Sequence, residues 1–212
     1  MVMRRYIGKF LRRNISAYPY QRYNDKNKLI FIHIPKTAGS SILNAIGSPL
    51  NGRLHIDYFQ YYRSDINRFN EYIKFAVVRD PLDKLYSCYR YFINGGNQSD
   101  GDLVMKDLLA NHCSDFDGFI ANLVTPSMMS QWNMLRPQCS YLCSKVGDVM
   151  VDVVLKYETL DEDYEMLRER LTWLPQELEK INVSGRFEEA PASIKTIKLV
   201  KELYDLDYKY FY

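Results

Sequence analysis

The sequence lacks the features that mark three common classes of protein. No apolar run approaches the roughly 20 residues that a membrane-spanning helix requires. Four cysteines in 212 residues are too few for a disulfide scaffold, and no two pairs of them show metal-ligand spacing. The net charge is only +2, which gives no reason to expect a nucleic-acid partner. Any anion site in this chain must therefore be local.

The N-terminal segment, residues 1–28, is basic and amphipathic. Its first residues, MVMRRYIGKFLRRN, lack the uninterrupted apolar region of a signal peptide, so a cytoplasmic location is expected. Met3, Ile7 and Phe10 are among the apolar residues at helical spacing, with arginines and lysine elsewhere around the wheel. This segment could touch the inner face of an anionic membrane, or it could pack on the domain.

The remaining residues, 29–212, read as a single domain with alternating strands and helices. Runs of β-branched and aromatic residues at 29–34, 72–79 and 150–157 predict buried strands, and a plausible helix start follows each run. This order predicts a three-layer α/β/α fold with a mostly parallel central sheet. Ligands of such sheets bind beyond the carboxyl ends of the strands.

A polar turn, PKTAGSS, follows the first predicted strand directly. It consists of Pro35, Lys36, Thr37, Ala38, Gly39, Ser40 and Ser41. A strand-loop-helix turn of this composition suits a phosphate or sulfate, because first-turn amides and a lysine can face the anion. The turn is P-loop-like but is not a Walker A loop, which would need glycines where Ile30 and Pro35 stand. Taken alone, it could equally be a plain strand exit and helix cap.

The second predicted strand ends in a similar step, VVRDPLDKLYSCYRYF. Asp80 is expected to cap a helix whose first residue is Pro81, and Ser87 falls off the apolar face of that helix. Arg79 at the strand end could pair with a phosphate, with Ser87 donating to the same group. The alternative is that Arg79 pairs with Asp80 or Asp83.

Taken together, IPKTAGSS and FAVVRDPLDKLYSCYRYF resemble the two nucleotide-binding motifs of the PAPS-dependent carbohydrate sulfotransferases of the Golgi type and their bacterial relatives. PAPS is 3′-phosphoadenosine 5′-phosphosulfate. The resemblance implies that the turn at 35–41 binds the 5′-phosphosulfate, and that Arg79 and Ser87 bind the 3′-phosphate. It continues more loosely to residue 212 and implies a carbohydrate acceptor. The missing membrane anchor fits a bacterial member.

Sulfuryl transfer requires that charge on the leaving oxygen is neutralised and that the acceptor hydroxyl loses its proton. Lys36 is the candidate for the first task, and no metal is expected. His55 is the candidate base, because related sulfotransferases place a catalytic histidine at about this interval after the first motif; Asp57 and Glu71 are the fallbacks. Of the other histidines, His33 is expected to pack in the strand and His112 to lie at the surface.

Two other functions remain open on the sequence alone. A P-loop kinase or nucleotide hydrolase would bind a nucleotide with Mg²⁺, whereas a non-catalytic glycan or nucleotide binder would need Arg79 and Ser87 but not Lys36 and His55. The presence of all four residues favours catalysis over simple binding, and the kinase interpretation lacks a full Walker A loop. Four aromatic residues could stack on a sugar acceptor or simply belong to the core: Tyr58, Tyr61, Tyr62 and Trp132.

Overall fold

The computed structural model describes residues 18–48, 54–179, 181 and 190–212. At its centre lie three parallel strands, β1 (Leu29–Ile32), β2 (Ile73–Val78) and β3 (Val153–Lys156). Their order in the sheet is β1-β2-β3, so β2 is the middle strand. All three strands fall within the segments predicted from the sequence, and their parallel pairing is as predicted.

Alternate side chains of these strands enter two different hydrophobic clusters. The first cluster contains Ile30, Ile32, Ala76 and Val78, and the second contains Leu29, Phe31, Phe75, Val77 and Leu155. Because successive residues of a strand point to opposite faces, this division means that both faces of the sheet are buried. Helices complete both clusters, which confirms the three-layer α/β/α fold.

Twelve helices surround the sheet in the described part of the chain. They are α1 (Arg22–Asn27), α2 (Gly39–Ala45), α3 (Tyr58–Ser64), α4 (Ile66–Glu71), α5 (Pro81–Ile93), α6 (Asp100–His112), α7 (Phe116–Leu123), α8 (Pro126–Gln131), α9 (Cys139–Leu142), α10 (Leu160–Arg170), α11 (Ile194–Leu203) and α12 (Asp205–Phe211). Among these residues no helix is both long and apolar enough to cross a membrane.

A third hydrophobic cluster lies among helices α5, α6, α7 and α11. Leu85, Met105, Phe119 and Val200 are fully buried in it, one from each of these helices. The four helices therefore form a helical layer with its own core, and α5 links that core to the sheet because it begins directly after β2. All four cysteines of the chain are free thiols.

The strands are shorter than the predicted segments, and β3 shows why. The prediction began at residue 150, but pairing with β2 begins only at Val153. At the preceding position, the Asp152 carboxylate accepts a hydrogen bond from the Lys74 amide at 2.7 Å. The ammonium of Lys74 lies 3.0 Å from the same carboxylate. The Lys74 amide is therefore bonded to a side chain instead of a strand carbonyl oxygen, although the Asp152 amide still donates to the Lys74 carbonyl oxygen at 2.8 Å. The regular ladder starts at the next residue.

Part of the N-terminal segment packs as an ordinary piece of the domain. Tyr20 is buried in the first cluster, and Tyr23 of α1 is buried in the second. Asn24 in the same helix donates to the Leu29 carbonyl oxygen at 2.8 Å, which fixes the helix against the start of β1. The predicted basic amphipathic helix over the first 14 residues lies outside the described residues.

Candidate functional site

The two predicted anion motifs meet at one end of the sheet. Strands β1 and β2 are parallel neighbours, with Ile32 opposite Ala76, so their carboxyl ends lie side by side. The guanidinium Nη1 of Arg79 donates to the Lys36 carbonyl oxygen at 3.3 Å. The structure therefore brings the lysine motif and the arginine motif into direct contact, although 43 residues separate them in sequence.

The first turn has an unusual backbone. Lys36 and Ala38 both adopt the left-handed region, with φ of 68° and 62°. Such conformations cost non-glycine residues of the order of 1 kcal/mol or more, and they persist where the surroundings fix them. Thr37 supplies part of that restraint, since it is fully buried and its hydroxyl donates to the Ile34 carbonyl oxygen at 2.9 Å.

The remaining polar residues of the turn have different environments. Ser41 is buried and its Oγ accepts the amide of Ile181 at 3.0 Å, which ties the turn to a distant segment. Ser40 is half-buried, and Pro35 is buried. The Thr37 hydroxyl thus holds the turn itself, whereas the Ser41 hydroxyl accepts a hydrogen bond and keeps its own proton to donate.

Gly39, where α2 begins, packs directly against a histidine ring. A Cβ at this position would lie 1.9 Å from Nε2 of His33, far inside ordinary contact distance. His33 is buried, as predicted, and its ring stacks on Phe31 with centroids 5.5 Å apart. The turn can approach this imidazole only because residue 39 has no side chain.

Lys36 extends along helix α5. Its ammonium lies 4.7 Å from the centre of the Tyr91 ring, which is a cation-π distance. Burial lowers the pKa of Lys36; the Cys88 thiolate would oppose that shift, and the charge of Arg79 adds to it. Among the described residues no carboxylate lies within 4.0 Å of this ammonium. The cation-π contact with Tyr91 therefore fixes where the ammonium lies.

Helix α5 begins as predicted and carries Ser87 toward the same region. The Asp80 carboxylate accepts the amides of Leu82 and Asp83, and Pro81 is the first helical residue. Ser87 is half-buried and precedes Tyr91 by four residues, so the two side chains share one face of the helix. Because Lys36 lies over Tyr91, that face is directed toward the first motif.

Arg79 is almost completely buried, with 7% of its surface exposed. Its guanidinium stacks over the Tyr157 ring at 4.3 Å. The Gln138 side chain forms hydrogen bonds with both the amide and the carbonyl oxygen of Arg79. Planar stacking restricts the guanidinium while leaving its edge able to donate hydrogen bonds. The Tyr157 ring and the Gln138 side chain therefore hold the arginine in place at the end of β2.

His55 lies at the same end of the sheet, beside His33. Its Nδ1 lies 3.1 Å from the His33 carbonyl oxygen, and the two imidazole centroids are 4.3 Å apart. Because a carbonyl oxygen can only accept a hydrogen bond, we assign the proton of neutral His55 to Nδ1. The lone pair that could accept a proton is then on Nε2.

The fallback bases lie in different places. Asp57 is near His55 in sequence, but its carboxylate caps α3 by accepting the Gln60 amide and lies 3.5 Å from Arg136. Glu71 pairs with Lys28 at 3.2 Å, just before β2 begins, which is the opposite end of the sheet from Arg79.

Two other sets of predicted side chains belong to the surface or to the core. His112 is exposed at the end of α6, in agreement with its expected surface position. Tyr61 is 2% exposed in the first cluster, with Tyr58 and Tyr62 packed against that cluster, and Trp132 packs against the third cluster. The core interpretation therefore fits these four aromatic residues best.

Three polar residues near the site were not singled out by the sequence. Lys84 on α5 is fully buried, and its ammonium donates to the carbonyl oxygens of Met134 and Arg136 at 2.8 and 3.1 Å. Gln138 and Asp207 are also fully buried. No local pattern marks these residues, because their partners lie 50 to 69 residues away along the chain.

One comparison with known proteins identifies the family of this chain. A family model described as the sulfotransferase family matches residues 20–212, which include both motifs. The chain therefore belongs to a sulfotransferase family, which supports sulfuryl transfer as the general reaction. No curated protein and no solved structure matches the chain at a significant level.

Proposed function

We propose that this member of the sulfotransferase family transfers a sulfuryl group from PAPS to a hydroxyl group of a carbohydrate and releases PAP, the corresponding 3′,5′-bisphosphate. The observation that carries the proposal is the convergence of Lys36 and Arg79 at the adjacent carboxyl ends of β1 and β2. A nucleotide with anionic groups at both its 3′ and 5′ positions fits two cationic motifs that lie side by side.

The residues present suit such a nucleotide in charge and environment. Lys36 is half-buried and Arg79 is 7% exposed, so both charges act in a medium that screens them less than water does. The amides at the start of α2 and the left-handed turn add further donors for an anion. We assign the 5′ side of the nucleotide to the turn at 35–41, and the 3′-phosphate to Arg79 and Ser87.

Lys36 has the role of stabilising the leaving group. The acceptor oxygen forms a bond to sulfur while the bond from sulfur to the bridging phosphate oxygen breaks, and negative charge grows on that bridging oxygen. An ammonium fixed by the Tyr91 ring can neutralise this charge without a large rearrangement. Its lowered pKa also lets it donate a proton more readily than an exposed lysine would.

His55 has the role of general base. Its Nδ1 donates a hydrogen bond to the His33 carbonyl oxygen. This contact fixes the orientation of the ring, with Nε2 on the side of the ring away from that carbonyl oxygen. Nε2 takes the proton of the acceptor hydroxyl, and the imidazolium that forms keeps its second hydrogen bond to the carbonyl oxygen. The carbohydrate part of the proposal rests on the resemblance of the two motifs to carbohydrate sulfotransferases.

A transfer assay tests this function. Radiolabelled PAPS is incubated with the protein and a panel of oligosaccharide and polysaccharide acceptors, and both labelled glycan and released PAP are measured. We expect stoichiometric formation of the two products, and a loss of about 100-fold or more in rate for Lys36→Ala. Lys26→Ala is the matched control, since Lys26 is exposed on α1. Transfer to peptide tyrosine but to no glycan would refute the carbohydrate assignment.

A further inference from the structure

Gln138 pairs with the backbone of Arg79 as a neighbouring strand would. Its Oε1 accepts the Arg79 amide at 2.8 Å, and its Nε2 donates to the Arg79 carbonyl oxygen at 2.7 Å. Arg79 is the first residue after β2, where the sheet no longer supplies both hydrogen bonds. The fully buried side chain of Gln138 thus extends the sheet by one residue and fixes the backbone that carries the guanidinium.

Asp207 on α12 holds Gln138 in turn. One carboxylate oxygen accepts the Gln138 amide at 2.8 Å, and the other accepts the Cys139 amide at 2.7 Å. Burial raises the pKa of Asp207, while these two amide hydrogen bonds and the nearby charge of Lys84 oppose the shift. Both carboxylate oxygens are engaged, so the carboxylate and the start of α9 have one defined relative position.

The end of the chain also contacts the residue that follows Arg79. The Tyr208 hydroxyl donates to the Asp80 carboxylate at 3.4 Å. The Glu158 carboxylate accepts the Asp80 amide at 2.6 Å and the Tyr212 hydroxyl at 3.0 Å. Residues 205–212 therefore connect to Arg79 and Asp80 in three ways: Asp207 through Gln138, Tyr208 through the Asp80 carboxylate, and Tyr212 through Glu158.

We propose that helix α12 is a positioning element for the second anion motif: Asp207, acting through Gln138, sets the backbone of Arg79 and thereby determines how strongly the protein prefers a nucleotide that carries a 3′-phosphate. The inference rests on the proposed function, because it takes Arg79 as the 3′-phosphate ligand. A displacement of the order of 1 Å at this backbone would misalign a planar guanidinium that has to donate two hydrogen bonds to two oxygens of one phosphate. Asp207 and Gln138 are both fully buried, and they act on the nucleotide only through Arg79, as positioning residues.

The test compares two nucleotides that differ only in the 3′-phosphate. Calorimetric titration gives the Kd of PAP and of adenosine 5′-phosphate for wild type and for Gln138→Met, which keeps the side-chain volume and loses both hydrogen bonds to Arg79. We expect PAP to bind about 10-fold or more weakly and adenosine 5′-phosphate to change by less than about threefold. A purely structural role would weaken both nucleotides by the same factor.

A second variant tests the same chain of contacts, from Asp207 through Gln138 to Arg79, when Gln138→Met does not fold. Asp207→Asn keeps the shape of the side chain but removes its charge, and we expect a smaller, selective loss of PAP affinity. Asp205→Asn on the same helix is the matched control, since Asp205 is exposed, and it should bind both nucleotides as wild type does. In the Arg79→Ala background, Asp207→Asn should cause no further loss of PAP affinity, because the contact it positions is already gone.

The outcomes separate the two proposals. If wild type prefers PAP and the Asp207 variant retains that preference unchanged, the positioning role is wrong while the proposed function stands. If wild type binds PAP no better than adenosine 5′-phosphate, both fail, because no 3′-phosphate site exists to be positioned. Equal losses for both nucleotides in a folded variant would also overturn the positioning role.

Discussion

Replacing Gly39 with alanine tests how closely the first motif packs on His33. The new Cβ would lie 1.9 Å from Nε2 of His33, whereas ordinary contact begins at 3.4 Å, so the ring or the start of α2 has to move by about 1.5 Å. His33 has little room, since it is 5% exposed and lies between Phe31 and His55. Overpacking of this kind costs about 1–3 kcal/mol of unfolding free energy.

Urea unfolding followed by circular dichroism measures this cost, and Gly101→Ala is the matched control. Gly101 is the second residue of α6, and a Cβ there would meet only a Trp132 ring carbon at 3.8 Å. Alanine should raise the unfolding free energy by up to about 0.5 kcal/mol, since it is the better helix former but the first turn realises only part of that preference. The same glycine-to-alanine change is thus expected to lower the unfolding free energy at residue 39 and to raise it at residue 101.

A double mutant identifies the clash as the cause. In the His33→Ala background the imidazole is gone, so Gly39→Ala should lose most of its cost, which corresponds to a coupling free energy of about 1 kcal/mol or more. A Gly39→Ala protein within about 0.5 kcal/mol of wild type would refute the reasoning. So would additive costs in the double mutant.

Three further predictions concern the turn and the proposed chemistry. Thr37→Val should cost about 1–3 kcal/mol in urea unfolding, because the buried Ile34 carbonyl oxygen loses its donor; a neutral effect would contradict this. Burial lowers the pKa of Lys36, so kcat/KM should begin to decline with rising pH below 10.5, the ordinary lysine value. Lys36→Arg should reduce the rate and abolish this decline. If the decline at high pH persists in Lys36→Arg, another group causes it. His55→Ala should reduce kcat about 100- to 10,000-fold with the PAP affinity unchanged, whereas His112→Ala should match wild type; equal rates would exclude His55 as the base.

The sequence predicts those parts of the site that depend on local signals. The apolar run before Pro35 marks the end of β1, and Asp80 followed by Pro81 marks the start of α5, because caps and proline act within a few residues. The meeting of Lys36 and Arg79 follows from the same reasoning, since the carboxyl ends of parallel neighbouring strands share one edge of a sheet.

The supports of the site could not be predicted in the same way. Lys84 reads as a polar residue on an amphipathic helix, yet it is fully buried because two carbonyl oxygens some 50 residues away accept its protons. Gln138 and Asp207 likewise acquire their roles only when the segment around residue 138 and the C-terminal helix pack at the end of β2. Such residues carry no periodicity of their own, and only tertiary contacts reveal them.

The most direct test of the central claim is calorimetric titration of the protein with PAP, with and without Mg²⁺, on wild type and on Arg79→Ala. The account predicts binding that is independent of Mg²⁺ and about 10- to 100-fold weaker in the variant, since a hydrogen bond to a charged group contributes about 1.5–3 kcal/mol. Absence of PAP binding, together with ATP binding that requires Mg²⁺, would contradict the account.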